Sequence, residues 1–318
     1  MTESKPRLFW LRQMLKGLFL FLAFLATFFL FLAVIVMSQI PSREAIRGCM
    51  TTVLFEVELC PGGKDYVPLK KISKHLQQAV IVTEDSAFYD HRGFDFMEIQ
   101  RSFEKNLEQG RFARGGSTIS QQLAKNLFLS SEKSLQRKMM EAVITVQLEK
   151  HLSKNEILER YLNVVQFGPK IYGVKEAAQF YFKKSPADLD LIESAWLAFL
   201  LPSPDKYSVS FFKKQLTPFA RKRLRQIVTN MYRFHRATED QYRLALGRLD
   251  HFLVGGAAVD IPDGLDLDAP EDDGGLDFLP EDELQPIPGE MAPPPEIEVP
   301  DPQATPPESD FESEDLTL

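Results

Sequence analysis

The chain has 318 residues, enough for one large domain or two small ones. Its net charge of −8 hides an uneven distribution, because residues 249–318 contain 21 acidic residues and no lysine or arginine. Residues 1–248 therefore hold 24 acidic and 37 basic residues, a net charge of +13. This basic body, residues 1–248, is suited to bind a phosphate-bearing substrate, an anionic membrane surface or nucleic acid. The two cysteines lie far from the histidines, which argues against a structural zinc site.

An apolar segment near the N-terminus predicts a membrane anchor. Residues 17–37 are 21 uncharged residues rich in Leu, Phe, Ala and Val, long enough to cross a bilayer as a helix. The preceding segment, 1–16, carries four basic residues and favours a cytoplasmic N-terminus. A cleaved signal peptide is the alternative, but the residues after the apolar run offer a poor cleavage site. We therefore expect an uncleaved anchor.

Residues 38–70 are expected to connect this anchor to a helical domain. Alternating apolar residues over 53–59 predict one strand, and Pro-Gly-Gly at 61–63 predicts a turn. Cys49 and Cys60 flank this stretch. In an oxidising compartment they could form a disulfide, and otherwise they are two free thiols near the membrane.

Residues 71–250 are predicted to form one mainly α-helical domain. Ser134 is placed to cap a long helix, and Ser153 with Glu156 forms a capping box for the next one. The helices predicted from apolar periodicity and capping residues span 72–84, 134–152, 153–163, 188–201 and 217–249.

Residues 251–318 are predicted to be a disordered, acidic, proline-rich tail. Residues 256–318 hold 12 of the chain's 21 prolines, many acids and few large apolar residues, so they cannot bury enough apolar surface to fold. Three interpretations stay open for this tail. It folds back on the basic body, binds basic partners outside the membrane, or serves as a solvated spacer.

A glycine- and hydroxyl-rich segment precedes a predicted helix at 114–126. Glycines allow a close backbone approach to a ligand, and a helix start presents free N–H groups to an anion. Gln121, Gln122 and Lys125 are spaced so that they can share one face of this helix. Apolar residues at a spacing of four cover the opposite face. The segment is typical of an anion site, with phosphate as the best candidate, and equally of an ordinary capped helix with a solvated polar face.

A second segment concentrates acidic residues and one histidine over 84–95. Glu84 lies near the end of an apolar helix, where the helix dipole and partial burial both favour the protonated form of a carboxyl group. A carboxylate is tuned toward general-base catalysis in this way. The same acids could bind a hard divalent cation, or form a polar helix end with its own salt bridges.

A third cluster consists of Arg137, Lys138 and Glu141. Arg137 and Glu141 are four residues apart on one predicted helix, so a surface ion pair is the leading structural interpretation. The functional interpretation places the two cations on a phosphate and Glu141 deeper in a cleft.

Together these segments resemble the signatures of the biosynthetic peptidoglycan glycosyltransferases, glycosyltransferase family 51, in their monofunctional, membrane-anchored form. The resemblance covers about 66–207, with the signatures in the family's order. They are Glu-Asp-x-x-Phe-x-x-His-x-Gly at 84–93, Gly-Gly-Ser-Thr-Ile-Ser-Gln-Gln-Leu-x-Lys-Asn at 115–126, Arg-Lys-x-x-Glu at 137–141, Lys-x-x-Ile-Leu-x-x-Tyr-Leu-Asn at 154–163, and a fifth, less complete, at 168–183.

The resemblance implies a mainly α, lysozyme-like domain that polymerises lipid II. In the family the growing glycan, held as its undecaprenyl pyrophosphate, is the donor. The 4-hydroxyl of the N-acetylglucosamine of the next lipid II is the acceptor. The link is β-1,4, formed with inversion at the anomeric carbon and release of undecaprenyl pyrophosphate. The family commonly uses a divalent cation, magnesium or manganese, and no organic cofactor.

The resemblance also implies roles for single residues. Glu84 matches the catalytic base and Glu141 the second active-site glutamate. Asp85 is a candidate cation ligand whose role stays open. The residues matched to substrate binding are Ser117, Gln121, Gln122, Lys125, Asn126, Arg137 and Lys138.

The resemblance further implies a location and partners. Residues 94–112, with Phe96, Met97, Phe103 and Phe112, match the family's membrane-touching lobe, although packing inside the domain is the simpler interpretation. We expect the domain on the periplasmic or extracellular side of the bacterial cytoplasmic membrane. Expected partners are lipid II, nascent glycan and membrane lipids, with transpeptidases and cell-wall or division machinery as candidates. Nucleic acid is not expected.

Two other functions fit parts of the sequence. A lysozyme-like hydrolase or lytic transglycosylase would also use a carboxylate tuned by burial, but it has no use for phosphate-binding segments. A membrane scaffold whose acidic tail recruits partners could coexist with catalysis.

Overall fold

The computed structural model describes residues 4–38, 40–109, 116–132, 134–253 and 265. Arg114 and Gly115, at the start of the glycine-rich segment, lie outside these residues. Most of the acidic tail also lies outside them, so its predicted disorder stays a prediction.

The described part of the chain is mainly α-helical, as predicted, with two short antiparallel hairpins. Its strands are β1 (Met50–Thr51), paired with β2 (Glu58–Leu59), and β3 (Gln166–Gly168), paired with β4 (Ile171–Tyr172). Its helices are α1 (Ser4–Ser38), α2 (Arg43–Arg47), α3 (Lys74–Glu84), α4 (Phe96–Gln109), α5 (Ile119–Phe128), α6 (Leu135–His151), α7 (Lys154–Val164), α8 (Gly173–Phe182), α9 (Leu191–Leu200), α10 (Pro204–Tyr207), α11 (Val209–Phe212), α12 (Pro218–Arg233) and α13 (Glu239–Arg248).

The predicted anchor, 17–37, lies wholly within α1. Among the described residues, Phe9–Phe31 is the one stretch long and apolar enough to cross a membrane. This stretch starts earlier than predicted and includes Arg12 and Lys16. Long basic side chains near the end of such a helix can extend along it towards the polar interface.

The connecting region differs from its prediction of a single strand over 53–59. The chain instead forms the β1–β2 hairpin, and residues 53–55 are its turn. Thr52 directs this turn, because its carbonyl accepts the Glu56 N–H at 3.1 Å and its hydroxyl accepts the Val57 N–H at 3.0 Å. A side chain that bonds to nearby backbone competes with an extended strand.

A disulfide closes this hairpin. The bond joins Cys49, directly before β1, to Cys60, directly after β2. The turn predicted at 61–63 follows it. The disulfide alternative is therefore the one that the structure adopts.

Two predicted helix starts are confirmed by their caps. The Ser134 hydroxyl accepts the Arg137 N–H at 3.1 Å at the start of α6. At the start of α7 the Ser153 hydroxyl accepts the Glu156 N–H, and the Glu156 carboxylate accepts the Ser153 N–H at 2.8 Å. This is the reciprocal arrangement of a capping box.

The arginine-rich segment 217–249 forms two helices rather than the one predicted. Helix α12 ends at Arg233, and His235 has φ of +54°, a left-handed conformation that cannot continue the helix. Thr238 then caps α13, with Gln241 completing a capping box.

Two groups of helices form the core. Helix α3 packs against α9 and α12, while α5 packs against α6 and α7. Every residue of α9 is buried, including Trp196 and Phe199, as expected for a helix in which eight of ten residues are apolar. This helix corresponds to the one predicted over 188–201. On α5, Leu123 and Leu127 are fully buried, which confirms its predicted core face.

Helix α4 places its apolar side chains at the surface. Phe96 is 76% exposed, Met97 63% and Phe103 65%. Of the two interpretations of this segment, packing inside the domain is therefore wrong for these three residues, while Phe112 lies outside the described part of the chain. An apolar patch on a helix of this kind marks an interaction site, and contact with the membrane stays a prediction.

A substitution at Gly93 tests the backbone conformation that leads into α4. The φ of Gly93 is +91°, and a Cβ there would lie 2.8 Å from Thr145 Cγ2 and 3.2 Å from Glu149 Cγ. We expect Gly93→Ala to lower the free energy of unfolding by about 2 kcal/mol because it combines backbone strain with overpacking. Gly247→Ala is the control: Gly247 is exposed on α13 with open space around it. It should raise that free energy by about 0.5–1 kcal/mol. Urea unfolding of both variants checks this, and equal effects would contradict it.

Candidate active site

Glu84 is the last residue of α3 and is half-buried. Its Oε2 accepts a hydrogen bond from the Gln122 side-chain amide at 2.8 Å. Burial raises the pKa of the Glu84 carboxyl above its usual value, and the negative charge of Asp85 adds to this rise. The Gln122 bond and the positive charges of Arg223 and Lys125 oppose it without cancelling it. The predicted raised pKa at the helix end is thus present, and burial is its main cause.

Gln122 is itself held in one orientation. The hydroxyl of Tyr161, a fully buried residue of α7, donates to the Gln122 side-chain oxygen at 2.9 Å. The Gln122 nitrogen is thereby directed at Glu84. The sequence marked Tyr161 as a motif residue, but not as part of the site. A buried tyrosine hydroxyl needs a hydrogen-bond partner. That need was the sequence signal that could have placed Tyr161 in the site.

Asp85 connects the end of α3 to the start of α5. Its Oδ1 lies 2.8 Å from His91 Nε2, and its Oδ2 accepts the Ile119 N–H at 2.9 Å. His91 Nδ1 in turn accepts the Gly93 N–H. Because both oxygens of this buried carboxylate are engaged, Asp85 is built into the framework of the site.

Helix α5 begins at this contact with a capping box. The Thr118 hydroxyl accepts the Gln121 N–H, and the Gln121 side-chain oxygen accepts the Thr118 N–H at 3.1 Å. Gln121 is therefore buried in the cap and does not share an open face with Gln122 and Lys125. Asn126 is likewise buried, near the other end of α5. Both residues stay predicted substrate ligands, but their positions favour a structural role.

A cationic group lies around Glu141 on α6. Arg137 donates to Glu141 Oε2 at 2.9 Å, and Lys138 pairs with Oε1. The Lys138 ammonium also lies 3.4 Å from the Ser117 hydroxyl. Glu141 is only 3% exposed, so this is not the surface ion pair of the structural interpretation. The buried carboxylate holds two cations in place, one of which, Lys138, lies beside Ser117 just before α5.

Lys125 is subject to the charges of both glutamates. Burial lowers the pKa of its ammonium group, while the charges of Glu141 and Glu84 both favour the ionised form. Arg137 and Lys138 lower its pKa further, which places all three cations within electrostatic reach of one another. A group of three neighbouring cations favours the binding of an anion.

Arg223 is a member of this environment that no sequence signal revealed. It lies on α12, which packs against α3, and its positive charge acts on Glu84. Its guanidinium also donates to Gln226 on the same helix at 3.0 Å. The sequence gave only an arginine-rich helix, and its packing against α3 could not be read from periodicity.

This arrangement separates two chemical tasks. Glu84 meets a neutral amide and carries a raised pKa, as a general base requires. Glu141 meets two cations and holds them in place. A substrate bound between them would meet a proton acceptor on one side and positive charge on the other, an arrangement that serves group transfer from a phosphate leaving group.

Comparison with known proteins identifies the family of this domain. A family model described as transglycosylase matches residues 55–232, more than half of the chain. The chain belongs to the transglycosylase family. That membership confirms the resemblance seen in the motifs and makes this domain a glycosyl-transferring enzyme domain.

Individual relatives support the same assignment. The biosynthetic peptidoglycan transglycosylase of Nitrosospira multiformis is 46% identical over 166 residues, which are 52% of this chain and 70% of the relative. That of Aromatoleum aromaticum is 52% identical over 147 residues, or 46% of this chain and 64% of the relative. That of Azoarcus sp. is 53% identical over 146 residues, or 46% and 63%. The chain thus spans less than two thirds of the latter two.

The Gln122–Glu84 bond can be tested without any substrate. We expect Gln122→Met to raise the pKa of Glu84 further, because it removes the hydrogen bond that stabilises the carboxylate. Carbodiimide reacts with protonated carboxyl groups, so the pH dependence of Glu84 labelling, read by peptide mass spectrometry, reports this pKa. Gln166→Met is the matched control, since Gln166 bonds to Asp205 instead. An unchanged or lower labelling midpoint in Gln122→Met would contradict the assignment.

Proposed function

We propose that this transglycosylase polymerises peptidoglycan glycan strands from lipid II. The observation that carries the proposal is the pairing of a carboxyl of raised pKa, Glu84, with the cations Lys125, Arg137 and Lys138. The donor would be the growing glycan on its undecaprenyl pyrophosphate. The acceptor would be the 4-hydroxyl of the N-acetylglucosamine of the next lipid II.

Glu84 would act as the general base. It takes the proton of the acceptor hydroxyl as the hydroxyl oxygen attacks the anomeric carbon of the donor. The bond from that carbon to the pyrophosphate oxygen breaks, and the pyrophosphate leaves with the bonding electron pair. Attack from the face opposite the leaving group inverts the anomeric carbon and gives a β-1,4 link. A base with a raised pKa is better matched to this proton transfer near neutral pH.

The cations would stabilise the charge that develops on the leaving pyrophosphate. Lys138 and Arg137 are held by Glu141 before any substrate arrives, so little reorganisation is needed during the reaction. Ser117 lies beside Lys138 and would donate to the same phosphate oxygens. We assign Glu141 to positioning these cations rather than to proton transfer.

The part of the chain that the structure describes offers no cluster of side chains that fits a divalent cation by itself. Among the described residues, no group of three or more His, Cys, Asp or Glu side chains could hold a metal ion. Both oxygens of Asp85 already accept hydrogen bonds or pair with His91. No step of the reaction is therefore assigned to a metal, and a magnesium or manganese ion that arrives with the substrate pyrophosphate stays a prediction.

The anchor gives the proposed reaction its place. A helix such as α1 would confine the domain to the membrane that holds the lipid-linked substrates. The basic N-terminal segment favours a cytoplasmic N-terminus, so the domain would face the periplasm or the cell exterior. Membrane lipids, transpeptidases and other cell-wall or division proteins stay candidate partners.

The catalytic role of Glu84 can be tested with lipid II. We expect Glu84→Gln to reduce the rate of polymerisation by about 10²- to 10⁴-fold, because the amide cannot accept the proton. Glu132→Gln, on an exposed residue before α6, is the matched control and should leave the rate unchanged. The measurement is glycan polymer formed by the full-length, detergent-solubilised protein from purified lipid II.

Two results would contradict the proposal. Polymerisation by Glu84→Gln at the wild-type rate would exclude Glu84 as the base. Shortening of finished glycan by the wild-type protein, without polymer from lipid II, would instead favour a hydrolase or lytic enzyme.

A further inference from the structure

The disulfide-closed hairpin makes a contact that the proposed reaction does not explain. Its turn lies against the C-terminal end of α5, where the Val53 N–H donates to the Leu127 carbonyl at 3.0 Å. The Leu54 N–H donates to the Asn126 carbonyl at 3.3 Å. The last carbonyls of any helix lack partners within the helix. Two of these carbonyls on α5 are thus satisfied by a segment more than 70 residues earlier in the chain.

The hairpin that supplies these donors is short. Each of its strands has two residues, and an isolated hairpin of this length is marginal in water. The Cys49–Cys60 bond joins the residues that flank the two strands. Leu59 is buried in the core and β2 packs against α7, so the base of the hairpin is fixed while its turn reaches α5.

Helix α5 is therefore held at both ends. At its start, Asp85 accepts the Ile119 N–H, and the capping box completes the first turn. At its end, the hairpin turn holds the carbonyls of Asn126 and Leu127. Between these two contacts lie Gln122, which donates to Glu84, and Lys125, on which the charges of both glutamates act.

We propose that the Cys49–Cys60 hairpin is a positioning element of the active site, which sets Gln122 and Lys125 by holding the C-terminal end of α5. Val53 and Leu54 are its positioning residues and act through their backbone N–H groups. This inference rests on the proposed function for its kinetic readout. Its structural readout, the protection of the hairpin and of the α5 end, does not depend on any substrate.

The pH dependence of the rate distinguishes positioning from a general loss of stability. The Gln122 bond stabilises the ionised form of Glu84 and so lowers its pKa against the larger effect of burial. If the end of α5 loosens, this bond weakens and the pKa of Glu84 rises. The acid limb of the pH–rate profile then moves to higher pH. Partial unfolding lowers the rate at every pH and leaves the midpoint of the limb unchanged.

The matched variants are Val53→Pro and Val53→Ala. Proline removes the N–H that bonds to the Leu127 carbonyl. Alanine keeps that N–H and alters only a side chain that is 53% exposed. We expect Val53→Pro to lower kcat with lipid II on the order of ten-fold and to move the acid limb to higher pH. Val53→Ala should match the wild type in both.

Hydrogen exchange gives the structural readout. Peptides that contain the Leu54 amide and the end of α5 should exchange faster in Val53→Pro than in Val53→Ala, while peptides from α9, 191–200, remain protected. Equal exchange in the two variants, or an acid limb that stays in place, would overturn the proposal. If the wild type fails to polymerise lipid II, the proposed function fails, and the exchange data still decide the contact between hairpin and α5.

The disulfide supplies a second test should Val53→Pro also expose α9. Dithiothreitol converts the bond to two thiols and takes up the disulfide itself. The chain has only two cysteines, so the reagent has no other disulfide to act on. We expect the reduced wild type and Cys49→Ser/Cys60→Ser to show the same upward shift of the acid limb, and the double variant to be insensitive to the reagent. Full activity with an unshifted limb in the reduced protein would refute the proposal.

Discussion

The contact between Asp85 and the first turn of α5 sets the geometry of the site. It joins two helices that belong to different parts of the core: α3 packs against α9 and α12, and α5 packs against α6 and α7. Glu84 directly precedes this contact, and Gln122 lies one turn beyond it. The contact between Asp85 and Ile119, which are far apart in the sequence, therefore brings Glu84 and Gln122 within hydrogen-bonding distance of each other. A buried carboxylate whose two oxygens both have hydrogen-bond partners is well suited to connect two helices in this way.

Within that frame, two glutamates acquire opposite environments. Glu84 is half-buried beside a neutral amide, and burial raises its pKa. Glu141 is more deeply buried, yet two basic side chains pair with it. The environment of Glu84 suits a proton acceptor, whereas that of Glu141 suits a carboxylate that holds cations in place. The charges of both carboxylates act on Lys125, which therefore connects the two parts of the site electrostatically.

Much of this could be predicted from the sequence where the determining interactions are local. Serine caps and apolar periodicity located α6 and α7, and motif order grouped Glu84, Gln122 and Glu141. Non-local interactions could not be read in the same way. The alternating residues 53–59 resemble a strand, but the Thr52 side chain and the disulfide produce a hairpin instead.

Other members of the site were also decided by tertiary packing. The charge of Arg223 acts on Glu84 because α12 packs against α3, and the hairpin turn contacts α5 across a large sequence separation. Gln121 was expected on the open face with Lys125, but its side chain completes the helix cap. A capping box and a ligand-binding face use the same residue types, so composition alone does not separate them.

The central claim is that the Glu84 carboxylate accepts the proton of the acceptor hydroxyl. It is tested most directly by measuring two quantities on the same wild-type protein: the polymerisation rate from lipid II as a function of pH, and the protonation of Glu84 by carbodiimide labelling. We expect the two titrations to share one midpoint, above the usual carboxyl value of about 4.3. A rate that reaches its plateau at a pH where Glu84 is still protonated would contradict the account.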